Sequence, residues 1–105
     1  GTAKHHDIHY LFSYLQQDFP ENEFGAHFHT NPNNWIEKVD TAYKAGCRRF
    51  DTAIKGFGGC PMAEDDLVGN LATENLLEYL KKNDLEIPLN QDHFSKALDI
   101  ASEIF

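Results

Sequence analysis

The sequence has few cysteines, few basic residues and no long apolar run, and each shortage argues against a class of protein. Its two cysteines, Cys47 and Cys60, form neither a CxxC motif nor a disulfide framework, so we expect a reducing, cytoplasmic location. Nine Lys and Arg against 17 Asp and Glu give a net charge of −8, which argues against nucleic acid and anionic membrane surfaces as partners. No stretch has the length of a membrane span or the apolar core of a signal peptide.

The length and composition of the chain fit one globular domain. At 105 residues and 41% hydrophobic composition, the chain is long enough for a modest core and shows no internal repeat. We therefore treat residues 1–105 as a single segment without a second domain.

The apolar periodicity predicts the order α-β-α-β-loop-α-α. A helix covers about 7–17, and strands cover 23–29 and 48–54. Between the strands, a helix begins at Pro32 after a cap at Thr30 or Asn31 and ends at Gly46, with a buried stripe of Trp35, Ile36, Val39, Ala42 and Tyr43. Thr73 caps the next helix, and a last helix buries Phe94, Ala97, Leu98 and Ala101.

A helix between two consecutive strands predicts a parallel βαβ unit. Two parallel strands leave open edges and apolar faces, and no other segment reads as a strand. We expect a piece of a larger α/β fold, or a unit that completes itself by association. The alternative is a small α+β domain built on a two-stranded ribbon.

Two histidines are the first candidate ligands. His27 and His29 lie two residues apart at the carboxyl end of the first strand, so they share one face, and two imidazoles there can bind a divalent cation. The alternative is a pair bonded to neighbouring loops. The other histidines have no partner at ligand spacing and are interpreted as surface residues: His5, His6, His9 and His93.

The stretch "IKGFGGCPM" places three glycines, Gly56, Gly58 and Gly59, directly before Cys60. Such density indicates a positive φ, a hinge or a close approach. Cys60 at the tip could act as a nucleophile or an acid, or be an inert loop residue.

Three more polar residues have open interpretations. Asn70 could offer an amide oxygen to a cation or simply follow Gly69 in a turn. Asp51 could support the histidines or be an ordinary buried acid, and Lys55 could meet an anionic substrate or be solvated.

Together, "GAHFHT", "AGCRRFDTAIKGFGGCPMA" and "GNLATENLLEYL" resemble the C-terminal part of 3-hydroxy-3-methylglutaryl-CoA (HMG-CoA) lyase, over roughly residues 1–85. The HxH strand is shared with other metal-dependent Claisen-type barrel enzymes, whereas the Gly-Gly-Cys-Pro loop is more specific to the lyase. The resemblance implies an α/β fold that is a C-terminal fragment of a (β/α)8 TIM barrel, containing its seventh and eighth strands. A complete barrel needs about 250 residues.

The resemblance also implies residue roles. His27, His29 and Asn70 would be ligands to Mg²⁺ or Mn²⁺, and His27 could also act as a base. Cys60 would be the catalytic cysteine on a mobile loop hinged at Gly56, Gly58 and Gly59. The substrate would be an acyl-CoA, HMG-CoA, cleaved to acetoacetate and acetyl-CoA.

Several features depart from the family pattern, notably Thr30, Lys55 and one extra residue within 64–67. The family's Arg and metal-binding Asp match no residue here, so we expect the isolated chain to be inactive. Its partner would be the missing N-terminal part of the barrel or a second copy. The alternatives are a CoA-dependent condensing synthase on the same barrel and a non-catalytic metal-binding or self-associating fragment.

Overall fold

The structure is a computed structural model that describes residues 2–58, 69–85 and 87–105. Its helices and strands follow the predicted order with two additional short strands. They are α1 (His5–Asp18), β1 (Gly25–His27), β2 (His29–Thr30), α2 (Trp35–Lys44), β3 (Arg49–Asp51), a 3₁₀ turn (Ile54–Gly56), β4 (Gly69–Asn70), α3 (Thr73–Lys82) and α4 (Gln91–Ile104).

The predicted parallel βαβ unit is confirmed. Strand β1 pairs in parallel with β3, and α2 connects them. The register places Gly25 opposite Arg49 and His27 opposite Asp51. A further parallel bridge joins Ala53 to Ala72, which ties the start of α3 to the same side of the fold.

The prediction of one continuous strand over 23–29, with no further strand, is wrong. The ladder breaks at Phe28, and the chain resumes as β2, which pairs antiparallel with β4. At the break, the carbonyl of Phe28 accepts a hydrogen bond of 3.0 Å from the backbone N–H of Leu71. A strand of two residues is too short to show a period-2 pattern, so β4 left no signal in the sequence.

Two predicted helix starts are also wrong. Helix α2 begins at Trp35 rather than Pro32, because Asn31 Oδ1 accepts the N–H of Asn33 and Asn34 Oδ1 accepts the N–H of Asn31, which closes a turn ahead of the helix. In α3, Ala72 rather than Thr73 is the N-cap residue.

Thr73 at the start of α3 and Gly46 after the end of α2 each have an identifiable role. The hydroxyl of Thr73, which does not cap α3, instead donates to Thr52 Oγ1 at 2.9 Å. Gly46, with φ +104°, follows the end of α2 as predicted.

The core has two parts that meet around α2. One part joins α1 to the parallel strands, and the other joins α2 to α3; their buried members are Ile8, Phe12, Ala26, Ala42 and Cys47 in the first and Val39, Leu71 and Tyr79 in the second. Of the predicted α2 stripe, Ile36 is 45% exposed, while Lys38 is buried in its place. On α4 the only buried residue is Ala101.

The described residues form two two-stranded sheets and no closed barrel. None of the helices in these residues is long and apolar enough to cross a membrane.

Candidate functional site

His27 and His29 lie side by side although the strand breaks between them. His27 is the last residue of β1, and His29 is the first residue of β2. Their ring centroids are 5.4 Å apart with an interplanar angle of 68°. The structure therefore brings together the two imidazoles that the HxH spacing predicts.

Asn70 joins them through the pairing that the sequence did not reveal. In the antiparallel register of β2 and β4, Asn70 lies directly opposite His29. Its Nδ2 donates a hydrogen bond of 3.0 Å to the carbonyl of Phe57, so Oδ1 is directed away from that contact. All three residues predicted as metal ligands thus lie in one region of the described structure.

The environment of His29 favours its neutral form. Burial lowers the pKa of this imidazole, and the neighbouring His27 lowers it further. Beneath it, the Nζ of Lys38 donates to the backbone carbonyl of His29 at 3.1 Å, and burial lowers the pKa of this lysine. A neutral imidazole keeps the lone pair that a cation needs.

Asp51 lies across the parallel ladder from His27. Its Oδ2 is 3.6 Å from His27 Nδ1, and its Oδ1 is 4.0 Å from Arg49 Nε. The Asp51 side chain is 52% exposed, so the alternative that it is an ordinary buried acid is wrong. Charged contacts at these distances and exposures stabilise the fold by little, about 0–1 kcal/mol.

The described glycines of the loop stem are required by a close backbone approach. Gly56 and Gly58 have φ of +67° and +83°. A Cβ on Gly56 would lie 2.7 Å from the carbonyl oxygen of Asn70, and one on Gly69 would lie 2.7 Å from that of Gly56. The stem therefore packs directly against β4, held by a bond from Asn70 N–H to Gly58 O of 3.1 Å. The hinge role of Gly56, Gly58 and Gly59 stays a prediction.

The two other candidate residues of that loop, Gly59 and Cys60, lie outside the described residues. The catalytic role predicted for Cys60 therefore stays a prediction. The other cysteine, Cys47, is buried in the first core cluster, and burial raises the pKa of its thiol.

Lys55 is held by contacts with α3 and α4. It has φ +57°, its backbone N–H donates to the Glu74 carboxylate at 2.8 Å, and its Nζ donates to Ser102 Oγ. The sequence predicted that Lys55 would either meet an anionic substrate or be solvated. It predicted neither of these contacts. The sequence also gave no signal for Phe57 or Lys38, because both act through contacts with distant residues.

The donor set fits a divalent cation in part. The amide oxygen of Asn70 suits a hard cation such as Mg²⁺ or Mn²⁺, whereas the two imidazole nitrogens are ligands that zinc, copper, iron or nickel prefer. Among the described residues, no group of three His, Cys, Asp or Glu side chains could hold a metal ion by itself. Beside Asn70, a cavity of about 290 Å³ is lined by Thr30, Asn31, Pro32, Trp35, Gly56, Gly69, Ala72 and Asn75.

No family model matches the sequence, but known lyases are similar to this chain. The chain is 34% identical over 80 residues to a hydroxymethylglutaryl-CoA lyase of Pseudomonas mevalonii, which covers 76% of this chain and 26% of the relative. It is 36% identical over 73 residues to an (R)-citramalyl-CoA lyase of Chloroflexus aurantiacus, covering 70% of this chain and 22% of the relative. The chain thus spans about a quarter of the length of the curated relatives it matches.

A solved structure agrees with these relatives. An HMG-CoA lyase from Acinetobacter baumannii, in complex with coenzyme A and 3-methylmalate, superposes with a TM-score of 0.73 at 31% identity. The match covers 88% of this chain and 30% of that structure. Such lyases are TIM barrels, of which the described residues form an open α/β portion. The chain belongs to the HMG-CoA lyase family and corresponds to a C-terminal segment of that lyase.

Proposed function

We propose that this chain supplies part of the active site of a lyase that cleaves HMG-CoA to acetoacetate and acetyl-CoA. The observation that carries the proposal is the juxtaposition of His27, His29 and Asn70 on three different strands. An acyl-CoA substrate is supported by the coenzyme A in the structure of the A. baumannii lyase. The name of the C. aurantiacus relative makes citramalyl-CoA a second candidate substrate.

In this proposal β1 and β3 are the seventh and eighth strands of a (β/α)8 barrel. His27 then stands at the carboxyl end of its strand, where TIM-barrel enzymes place their active sites. The 105 residues alone are not expected to catalyse the reaction, because they include no match to the family's Arg and Asp. The rest of the barrel, or a second copy of the chain, would complete the site.

The donor atoms of His27, His29 and Asn70 would hold Mg²⁺ or Mn²⁺. When bound, such a cation supplies positive charge that stabilises developing negative charge on substrate oxygens. Asn70 contributes Oδ1, since its Nδ2 is engaged by Phe57. His29 contributes a neutral imidazole, as its lowered pKa favours.

His27 would take the proton of the substrate's 3-hydroxyl group at a stage when its lone pair is not bound to the cation, because a neutral imidazole has only one nitrogen lone pair. His29 and Asn70 would hold the cation during that step. The Asp51 carboxylate lies 3.6 Å from His27 Nδ1 and would orient this imidazole. As the C3–O bond becomes a carbonyl, the C2–C3 bond breaks and its electron pair passes to the enolate of acetyl-CoA. Cys60 would then donate a proton to the enolate carbon, once the glycine loop closes over the site.

A Mn²⁺ titration of the chain by isothermal calorimetry tests the ligand assignment. We expect His29→Ala to weaken Mn²⁺ binding by at least tenfold, because one of three described donors is lost. His9→Ala is the matched control, since His9 is an exposed histidine on α1, and it should leave the affinity unchanged. Equal affinities for the two variants would refute the metal role of His29.

Activity is tested by acetoacetate release from HMG-CoA with added Mn²⁺. The chain alone should release none, and co-expression with the N-terminal part of a related lyase should restore release that Cys60→Ser abolishes. Release by the chain alone would refute its dependence on other segments. Restored release that is unaffected by Cys60→Ser would refute the role of Cys60.

A further inference from the structure

The backbone of Phe57 controls the direction of the Asn70 side chain. Asn70 Nδ2 donates to the Phe57 carbonyl at 3.0 Å, and the Asn70 backbone N–H donates to the Gly58 carbonyl at 3.1 Å. Because Nδ2 and Oδ1 leave the amide carbon in different directions, fixing Nδ2 also fixes Oδ1. The placement of Phe57 therefore decides where the candidate ligand oxygen points.

Phe57 is in turn held by the C-terminal helix. Its ring centroid lies 4.6 Å from that of Phe105, with an interplanar angle of 33°. This separation is within the range at which aromatic pairs attract each other. The contact joins the last residue of the chain to the loop stem that carries the Phe57 carbonyl.

A second contact to α4 lies two residues earlier in the same stem. Lys55 Nζ donates to Ser102 Oγ on α4, while the Lys55 backbone N–H is held by Glu74 at the start of α3. Helix α4 packs against this 54–56 turn and buries only Ala101 among its own residues. Its docking is thus concentrated on the segment that positions Asn70.

We propose that Phe57 is a positioning residue for Asn70, and that Phe105, directly after α4, and Ser102 on the last turn of α4 hold it in place. This inference rests on the metal role proposed for Asn70. Coupling between two sites is reciprocal, so a cation that binds Asn70 should also stabilise the docking of α4. The link consists of the ring contact between Phe57 and Phe105, the hydrogen bond from Lys55 Nζ to Ser102 Oγ, and the hydrogen bonds from Asn70 to the carbonyls of Phe57 and Gly58.

Two measurements on the full chain test the link. The first is the position of the Asn70 side-chain NH₂ resonances in a ¹H–¹⁵N spectrum without metal. The second is Mn²⁺ affinity by calorimetry. The variants are Phe57→Ala, Phe105→Ala, Phe105→Tyr and Ile104→Ala; the last is the control, since Ile104 is 68% exposed and Phe105 is 75% exposed on the same turn.

We expect Phe105→Ala to shift the Asn70 NH₂ resonances and to weaken Mn²⁺ binding about threefold, with Phe57→Ala reaching about tenfold, the lower end for residues that orient a metal ligand. Phe105→Tyr, which keeps the ring, should restore both readouts, and Ile104→Ala should change neither. If Phe57→Ala unfolds the chain, the exposed Phe105 variants still decide the question.

Unchanged Asn70 resonances in Phe105→Ala would overturn the inference, whether or not Mn²⁺ binds. An equal shift in Ile104→Ala would also overturn it, because the effect would then be a general loosening of α4. If Phe105→Ala shifts the resonances but the unsubstituted chain takes up no Mn²⁺, the link between α4 and Asn70 is supported and the proposed metal site is refuted.

Discussion

Replacing Gly56 by alanine should disrupt the contact between the loop stem and β4. Gly56 has φ +67°, and an added Cβ would lie 2.7 Å from the backbone oxygen of Asn70. That oxygen belongs to a paired strand, so it cannot yield as the end of a flexible side chain would. Either the stem or β4 must move, and Asn70 moves with it.

The size of the effect follows from three contributions to the free energy of unfolding. A non-glycine residue at this φ costs about 1–3 kcal/mol. Overpacking against fixed backbone adds about 1–3 kcal/mol. Restricting the unfolded chain returns about 0.4–1 kcal/mol. We therefore expect Gly56→Ala to lower the free energy of unfolding by roughly 1–6 kcal/mol.

Urea unfolding followed by the fluorescence of Trp35, the single tryptophan, measures this change. The matched control is Gly25→Ala, where a Cβ would meet only the side chain of Arg49 at 3.1 Å and φ is not in the positive range. This control should stay within about 1 kcal/mol of the unsubstituted chain. If Gly56→Ala and Gly25→Ala unfold at the same urea concentration, the close-approach explanation of the glycine stem is refuted.

Two further predictions concern the core. Tyr79 donates to Asp40 Oδ1 at 2.7 Å, and Lys44 and Tyr79 hold the pKa of Asp40 below its usual value. Tyr79→Phe should therefore lower the free energy of unfolding by about 1 kcal/mol at pH 7. The figure is modest because the Asp40 side chain is 36% exposed. Since the folded pKa is the lowered one, the charge-dependent part of this contribution is present above the unfolded value of about 3.9 and is lost as the pH falls through the folded value. A Tyr79→Phe effect that does not become smaller as the pH is lowered would contradict this reasoning. In a Cys60→Ser background, the buried Cys47, whose pKa is raised by burial, should react with a thiol reagent only after denaturation, and rapid reaction in native buffer would show that its burial is wrong.

Local patterns in the sequence were sufficient for the parts of the fold that depend on neighbouring residues. The apolar period around Val39 and Ala42 predicted α2, and the spacing of His27 and His29 predicted that they lie together. The βαβ unit followed because a helix between strands favours parallel pairing.

The missed features depend on contacts between distant segments. Strand β4 exists because Gly69 and Asn70 meet β2 about 40 positions away, and two residues carry no periodic signal. Thr73 has a residue type favoured at caps, but its hydroxyl bonds Thr52 from the preceding segment. Lys38 falls between apolar positions of α2, yet it is buried because its amine reaches the carbonyl of His29.

The sequence predicted which residues form the candidate site, but it did not predict the strand pairing that brings them together. The resemblance named His27, His29 and Asn70 together, whereas the pairing that places Asn70 opposite His29 required the structure. The glycine density was predicted to indicate a positive φ, a hinge or a close approach, and the structure shows a positive φ for Gly56 and Gly58 beside Asn70. The hinge stays a prediction.

The most direct test of the central claim is paramagnetic broadening by substoichiometric Mn²⁺ in ¹H–¹⁵N spectra of the chain. The account predicts that the imidazole signals of His27 and His29 and the side-chain amide of Asn70 broaden first. Signals of the exposed histidines His5, His6, His9 and His93 should stay sharp at the same Mn²⁺ concentration. Broadening centred on those exposed histidines, with Asn70 unaffected, would contradict the metal site on which the proposed function depends.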